Sequence, residues 1–489
     1  MYDVGIIGCG VTGAAIAFEL SKYNLKVAII EKENDVAMGA TKANSAIIHA
    51  GYDPKPGTLM AKLNVRGSRL CKDLCEKLDV PYVNCGALVY AFNDEDVKTL
   101  NVLLERGNAN GVEGLKILNK AEVKDMEPET SDEVVAALYA PTSAIVSPWE
   151  LCLAMAETAV KNGATLYRNA EVTKIENLSG TDSKQAENLD VCGKQCGYKV
   201  TTASGVIECK YLVNAAGCNS DKIHDMIAEH DFEIIPSRGQ YYLLDKEEGT
   251  RVAHTIFQCP SKVGKGVLVS PTVHGNLIVG PDSEIVEGED KATTAEGLAF
   301  VKEAAMRSIP SVDFRQSIRN FAGVRARTKI DDFIIKQSAH HFIDAAGICS
   351  PGLSSAPAIG EYVVELLIAD GLKAEKKTDF VCERTKVRFK YLSAEEKQKL
   401  VSKNPSYGKV VCRCETITEG EILDCFNTPI PPVSVDGVKR RAGAGMGRCQ
   451  GGFCGPTVVD LLSKHLGVDK TEIVQEGSKS WMLSGKVGK

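Results

Sequence analysis

The sequence predicts an α/β protein: a parallel-sheet domain interleaved with an antiparallel-sheet domain, then a small helical module carrying four cysteines. Three observations predict it. Residues 2–32 read as strand, glycine turn, helix and strand; residues 232–280 alternate apolar and polar side chains; and four of the last five cysteines form two tight pairs after residue 400. Of 489 residues, 44% are hydrophobic and 25% charged. That is ample material for sizeable cores, at a length suited to about two to four domains. Lys plus Arg number 58 against 64 Asp plus Glu, a net charge of −6, which argues against general nucleic-acid binding. No apolar run reads as a transmembrane segment, and MYDVGIIGCG lacks the basic and apolar regions of a secretory signal. A cytoplasmic enzyme is therefore expected.

Each element follows in order. Val4, Ile6 and Ile7 start a buried strand, residues 12–22 suit a helix with Ala and Leu on one face, and VAIIE reads as a second parallel strand. Residues 148–162 look helical before ATLYRN, and CKYLVNAAG is another buried strand ending in small residues. EIIPSRGQYYLLD and GVLVSPTVHGNLIVG alternate as antiparallel strands do. HFIDAAGICSPGLSSAPAIGEYVVELLIADGL then returns to strand, glycine loop and helix. The parallel-sheet parts are expected at about 1–78, 145–220 and 320–372, and the antiparallel parts at about 79–144 and 221–319. The Lys-rich stretch 373–408 reads as a linker, 409–470 as the cysteine module and 471–489 as a polar tail.

Gly8, Gly10 and Gly13 form G-x-G-x-x-G between the first strand and the first helix, and Glu31 ends the second strand 21 residues after Gly10. Glycines permit the tight turn and the close approach of a pyrophosphate to the helix N-terminus, and the carboxylate accepts hydrogen bonds from ribose hydroxyls. A Rossmann-like dinucleotide site is the reading. Two further segments favour FAD over NAD. NAAGCNS (214–220) places Ala216 and Gly217 at a strand end, where an adenosine or pyrophosphate can pass. GICSPGLSSAPAIG (347–360) places Gly352, Leu353 and Ser354 at a helix start, able to aim N–H groups at a flavin ring.

On these segments residues 1 to about 372 resemble the FAD-dependent glycine/D-amino-acid oxidase superfamily. ATKANSAIIHAGYDPKPGTLMAKLNVRG, SRGQYY, GVLVSPTVHGNLIVGP, FAGVR and SPGLSSAPAI resemble bacterial type II glycerol-3-phosphate dehydrogenases and oxidases. The first segment also resembles L-2-hydroxyglutarate dehydrogenases. The resemblance implies an interleaved FAD domain and substrate domain, and places His49 of NSAIIHAG at the flavin. A neutral imidazole suits removal of a hydroxyl proton as hydride leaves for flavin N5. A covalent flavin link or a structural core histidine are the alternatives for His49. An anionic substrate needs a fixed cation. Arg325 of FAGVR matches the family's substrate arginine, but Ala326 stands where the family commonly has Pro, leaving Arg327 as a second candidate cation. Arg238 of SRGQYY is either a substrate contact or a structural ion pair. Lys42, Asn44 and Ser45 are candidate flavin contacts, with a solvated loop as the alternative, and His274 reads as a hairpin residue.

Cys412 and Cys414 lie in VCRCET, and Cys449 and Cys454 in GRCQGGFCGP, with 34 residues between the two pairs. Four thiolates suit a [2Fe–2S] cluster or an all-cysteine zinc site, and the C-x-C spacing argues against zinc. GMGRCQGGFCGP resembles the bacterioferritin-associated-ferredoxin-like [2Fe–2S] module. Arg413, Lys439, Arg440, Arg441 and Arg448 would tune that cluster, dock an acidic partner, or simply form a solvated basic face. Cys192 and Cys196 read as incidental to a hairpin. The leading expectation is an FAD- and [2Fe–2S]-containing dehydrogenase that oxidises sn-glycerol 3-phosphate to dihydroxyacetone phosphate. Electrons would pass to a partner flavoprotein or redox subunit. A dehydrogenase of L-2-hydroxyglutarate or another 2-hydroxy or amino acid, or an electron-relay subunit of a larger complex, are the alternatives.

Overall fold

A computed structural model describes residues 1–178, 197–260 and 266–485; Cys192 and Cys196 lie outside the described residues. The parallel sheet forms as expected. Tyr2–Ile7 lies between Val27–Ile30 and Gly205–Asn214, with Thr165–Tyr167 and Phe342–Ala346 beyond them, and all these neighbours run parallel. Val4, Ile6, Ile29 and Val213 are buried without remaining exposure. Uninterrupted apolar runs are what a sheet covered on both faces requires. Helix Val11–Leu20 packs between helices Pro148–Lys161 and Gly352–Ala369. The approach is close: a Cβ added to Gly360 would sit 2.7 Å from the carbonyl oxygen of Ala15.

The antiparallel sheet joins strands from both expected segments. Ala87–Ala91 pairs antiparallel with Ala136–Ala140 and parallel with Thr255–Gln258, which leads on to Leu268–Pro271, Leu277–Gly280 and Ile235–Leu244. Strand Ser317–Arg327 pairs with Ile235–Leu244 from Ile235↔Arg327 to Leu244↔Ser317. The boundary expected at residue 320 therefore falls inside a strand of this sheet, and the chain re-enters the parallel sheet at Phe342.

Two segments are more firmly held than their polarity implied. Residues 373–408, read as a linker, lie along the larger body: Lys376 bridges Tyr23, Arg384 pairs with Glu157 at 2.9 Å, and Lys386 with Glu150 at 3.0 Å. Buried carboxylates at Glu150 and Glu157 call for cations, and this stretch supplies them. Within the tail, Val474 bridges Ser434 and Trp481. Helix Gly352–Ala369 is 18 residues with a mean hydropathy of 1.2, long and apolar enough to cross a membrane, and among the described residues it alone is so. It is 61% buried within the protein, so its apolarity is that of a core helix.

Candidate active site

The glycine turn is dictated by crowding. Gly8 has φ +96°, and a Cβ there would lie 2.5 Å from the carbonyl of Ala215; one on Gly13 would lie 2.0 Å from the carbonyl of Gly8. Gly10 caps the first helix without a side chain, and a Cβ on it would meet only the Thr41 hydroxyl, at 3.3 Å. That opening is the kind a pyrophosphate enters. Glu31 is 6% exposed and accepts from the backbone N–H of Cys9 at 2.7 Å and of Glu33 at 2.9 Å. Burial raises its pKa, against the pull of those two donors. Gly217 has φ +58° just after Ala216, and a Cβ on it would meet nothing within 4 Å. The glycine turn and the Ala216–Gly217 segment thus meet at the start of the first helix, where a Cβ on Gly8 would press on Ala215. Thr41, not singled out in the sequence, closes one side by accepting from Val11 N–H at 2.9 Å.

His49 is clamped from two sides. Its N–H donates to Ser354 Oγ at 2.7 Å, and its carbonyl accepts from Asn64 Nδ2 at 3.1 Å. Its Nε2 lies 3.5 Å from Ser350 Oγ, and its ring is 5.6 Å from that of Phe257, tilted by 30°. His49, Tyr52, Asp53, Asn64 and Pro351 line one cleft. Gly352, Leu353 and Ser354 form the first turn of helix Gly352–Ala369, so the helix start and the histidine meet. Asn64 and Ser350 lie inside segments quoted above but were not singled out as site residues; the fold brings them to His49.

The loop holding Lys42, Asn44 and Ser45 is pinned by strand Ser317–Arg327, since a Cβ on Gly323 would lie 1.9 Å from the carbonyl of Ala43. Asn44 folds inward, donating to Thr41 O at 2.8 Å and accepting from Ala46 N–H at 2.7 Å. Ser45 Oγ is 3.3 Å from the Tyr241 hydroxyl, and Tyr241 stacks on Phe321 at 4.8 Å. Lys42 pairs with Glu476 at 2.5 Å.

The three arginines have different surroundings. Arg325 donates to the carbonyls of Ser237, Arg238 and Asp282 at 3.3, 3.0 and 3.0 Å. Three backbone carbonyls fix the guanidinium, and among the described residues no carboxylate pairs with it, as an anion site needs. Arg238 is 3% exposed and pairs with Glu284 and Asp290, each at 2.6 Å. Its surroundings are those of the structural ion pair, with its charge already met by two carboxylates. Arg327 ends its strand, exposed, opposite Ile235. His274 sits in the turn between Leu268–Pro271 and Leu277–Gly280, stacked on Trp149 at 5.8 Å and 3.6 Å from Glu150, and burial lowers its pKa.

The cysteine module brings its thiols together. Cys414 and Cys449 place their sulfurs 3.6 Å apart, and Cys412 and Cys454 hydrogen-bond through theirs. Two thiolates on one tetrahedral metal, at bonds of roughly 2.3 Å, lie about 3.7 Å apart. Backbone N–H groups of Gly445 and Glu415 point at the Cys412 sulfur, and those of Phe453 and Gly451 at that of Cys449. Gly447 must stay small, since a Cβ there would lie 2.4 Å from that of Cys414. Gly455 is buried, yet a Cβ on it would meet nothing within 4 Å. Two pairs of sulfurs, each joining one cysteine of C-x-C to one of C-x4-C, with space left beside them, fit the four ligands of an iron–sulfur cluster.

Of the basic residues near these sulfurs, most are engaged within the chain. Asp35, fully buried, receives Arg441 at 2.8 Å in a bidentate pair and Arg440 at 2.8 Å. Arg448 pairs with Asp245 at 3.1 Å and Glu247 at 2.8 Å, and Lys246 reaches Glu415 at 2.6 Å. The basic face thus docks the module onto the larger body.

Residues 3–366 match the family described as FAD dependent oxidoreductase, and residues 410–464 match the BFD-like [2Fe-2S] binding domain. The chain belongs to the FAD-dependent oxidoreductase family. This oxidoreductase is 51% identical over 489 residues, 99% of its length and 98% of the relative's, to a protein of Caloramator mitchellensis named glycerol 3-phosphate dehydrogenase. It is 35% identical to the glycerol 3-phosphate oxidase of Mycoplasma genitalium, over 77% of this chain and 97% of that one. The solved L-alpha-glycerophosphate oxidase of Mycoplasma pneumoniae, dithionite-reduced with FAD bound, superposes with a TM-score of 0.70 at 32% identity, covering 78% of this chain and 98% of that one. L-2-hydroxyglutarate dehydrogenase of Mus musculus is 33% identical over 73% of this chain and 87% of its own. FAD and a [2Fe–2S] cluster are the oxidoreductase's cofactors, as expected from the glycine turn and the four cysteines.

Proposed function

We propose that this oxidoreductase is a glycerol-3-phosphate dehydrogenase, converting sn-glycerol 3-phosphate to dihydroxyacetone phosphate. The observation that carries the reading is likeness along the whole chain, cysteine module included, to a relative of that name. When bound, FAD supplies a two-electron acceptor and the cluster a one-electron one. The chain's own residues do the rest. Gly8, Gly10, Gly13, Glu31, Ala216, Gly217, Gly352, Leu353 and Ser354 hold the cofactor, with Lys42, Asn44 and Ser45 on the neighbouring loop. Cys412, Cys414, Cys449 and Cys454 ligate the cluster. His49 takes the proton of the substrate's secondary hydroxyl at Nε2; Asn64 and Ser354 hold its backbone and Ser350 faces its ring. Arg325 holds the phosphate, with Arg327 as the outer cation of the same strand. Arg238 acts on the substrate only indirectly, by keeping in place the strand whose carbonyls hold Arg325.

Electrons leave through the cluster to a partner flavoprotein or redox subunit. The oxidases named above are covered over nearly their whole length by about three quarters of this chain, so the cysteine module is an addition to that common body. All fifteen described cysteines are free thiols, which suits the reducing cytoplasm. The test is an anaerobic titration of the purified holoprotein with glycerol 3-phosphate, followed at the flavin's visible band, with L-2-hydroxyglutarate beside it. Bleaching by glycerol 3-phosphate is expected. Bleaching by the hydroxy acid alone would move the protein to the second relative's chemistry, and bleaching by neither would leave an electron-relay subunit.

A further inference from the structure

We infer that the electron acceptor docks at the solvent-facing edge of the cysteine module, on the exposed ring of Phe453, with Arg413, next to Cys414, supplying the charge. The inference rests on the proposed reading only in taking electrons to leave through the cluster. The four sulfurs are not equally covered: Cys412 and Cys454 are buried, Cys449 is partly exposed and Cys414 is exposed. The side of the cluster site facing solvent is therefore the Cys414–Cys449 pair. Phe453 lies between two ligands and is 87% exposed, the most exposed large apolar side chain among the described residues. Its backbone N–H is aimed at the Cys449 sulfur, so the ring stands on a segment fixed to the site itself. Scattered surface apolar residues are ordinary. A phenyl ring held at the rim of a redox centre is placed where an interface core belongs.

The charge at this rim selects the partner. Arg448 is answered by Asp245 and Glu247, and Arg440 and Arg441 by Asp35. Arg413, between Cys412 and Cys414, is exposed and among the described residues forms no ion pair. With Glu415 taken up by Lys246 and Lys390, the uncompensated charge next to the exposed Cys414 is positive. The fitting occupant is a one-electron redox protein whose own centre sits at an apolar surface rimmed by carboxylates. Electrons balance: oxidising one secondary alcohol to a ketone releases two electrons and two protons. Two acceptor molecules therefore take one electron each, in turn, and the protons go to solvent.

Zinc-substituted rubredoxin, an acidic and redox-inert probe, tests docking without any electron flow, by NMR titration of the labelled probe with the full-length holoprotein. Arg413→Glu is expected to weaken binding about tenfold at low ionic strength, and Phe453→Ala severalfold at any ionic strength. In stopped-flow, dithionite-reduced holoprotein would reduce iron rubredoxin more slowly in both variants. Arg413→Glu would speed reduction of the basic cytochrome c, and a small uncharged quinone would be reduced at an unchanged rate. The cluster's electron paramagnetic resonance signal verifies that each variant retains it. Equal rubredoxin affinity in wild type and both variants, or no binding at all, would overturn the proposal. Because dithionite replaces the substrate, a failed flavin titration with glycerol 3-phosphate leaves this test intact.

Discussion

The larger body and the cysteine module are held together by different means. The body buries long apolar strands on both faces and packs Ile16, Leu20, Leu151 and Ile359 between helices. The module has about fourteen buried apolar side chains, among them Ile422, Val438 and Leu462, and is only about 60 residues long. A domain of that size buries too little surface to be stable by its core alone, and ordinarily needs a metal or a partner. Here it has both, an iron–sulfur site with its four cysteines in two thiol pairs and an ionic seam on Asp35. The body is expected to withstand loss of its cofactor; the module is not.

The largest effect expected tests the body's chemistry without touching its fold. His49→Gln is predicted to lower kcat for glycerol 3-phosphate by about 10²–10⁴-fold, with thermal unfolding unchanged, as read by stopped-flow bleaching beside calorimetry. Equal loss of melting temperature and activity would return His49 to a structural role.

Next comes the seam. Asp35→Ala leaves Arg441 buried without its carboxylate and Arg440 with Glu476 alone, at 3.2 Å, and breaking a buried pair of this kind costs about 3–5 kcal/mol. The module is expected to melt as a separate, earlier transition. Removing iron with a chelator should split the same transition from the body's. A single unsplit transition in both experiments would erase the distinction drawn between the two regions.

Asp35 also sets a pH dependence. Burial opposes its ionisation, but the Arg441 and Arg440 guanidiniums overcome it and hold its pKa well below the usual carboxylate range. A group with a depressed folded pKa contributes stability in full above its unfolded value, near 4, and loses it as pH falls further. The stability gap between wild type and Asp35→Asn should therefore stay constant from about pH 5 to 8 and narrow below about pH 4. The smallest effect concerns Lys246, whose pair with Glu415 is partly exposed. Lys246→Ala is expected to cost about 1 kcal/mol or less in module stability, measured by denaturant titration.

Much of this architecture was legible because it rests on local rules. The glycine turn announces itself through spacing, and the close contacts of Gly8 and Gly13 show why no other residue stands there. The four cysteines likewise declare a site. What was not legible lies in contacts across hundreds of residues. Ser350 reaches His49, Arg384 finds Glu157, and Arg441 finds Asp35. Polar segments such as 373–408 read as solvated tethers, because a sequence does not reveal that buried carboxylates await their lysines and arginines. Arg238 and Arg325 show the same limit within one sheet. Arg325 reads as the substrate's cation and Arg238 as either a second such contact or a structural ion pair; carboxylates neutralise Arg238, and backbone carbonyls merely hold Arg325.

The pair between Lys42 and Glu476 also has a meaning for biosynthesis. Lys42, within the loop beside the glycine turn, is made 434 residues before the residue that neutralises it. Domains fold as their segments appear, but this loop reaches its final electrostatic state only once the cysteine module has also been made. Maturation of this loop therefore waits on synthesis of the module, and a ribosome stalled shortly before residue 476 would display a body with its parallel sheet formed and that lysine still unanswered.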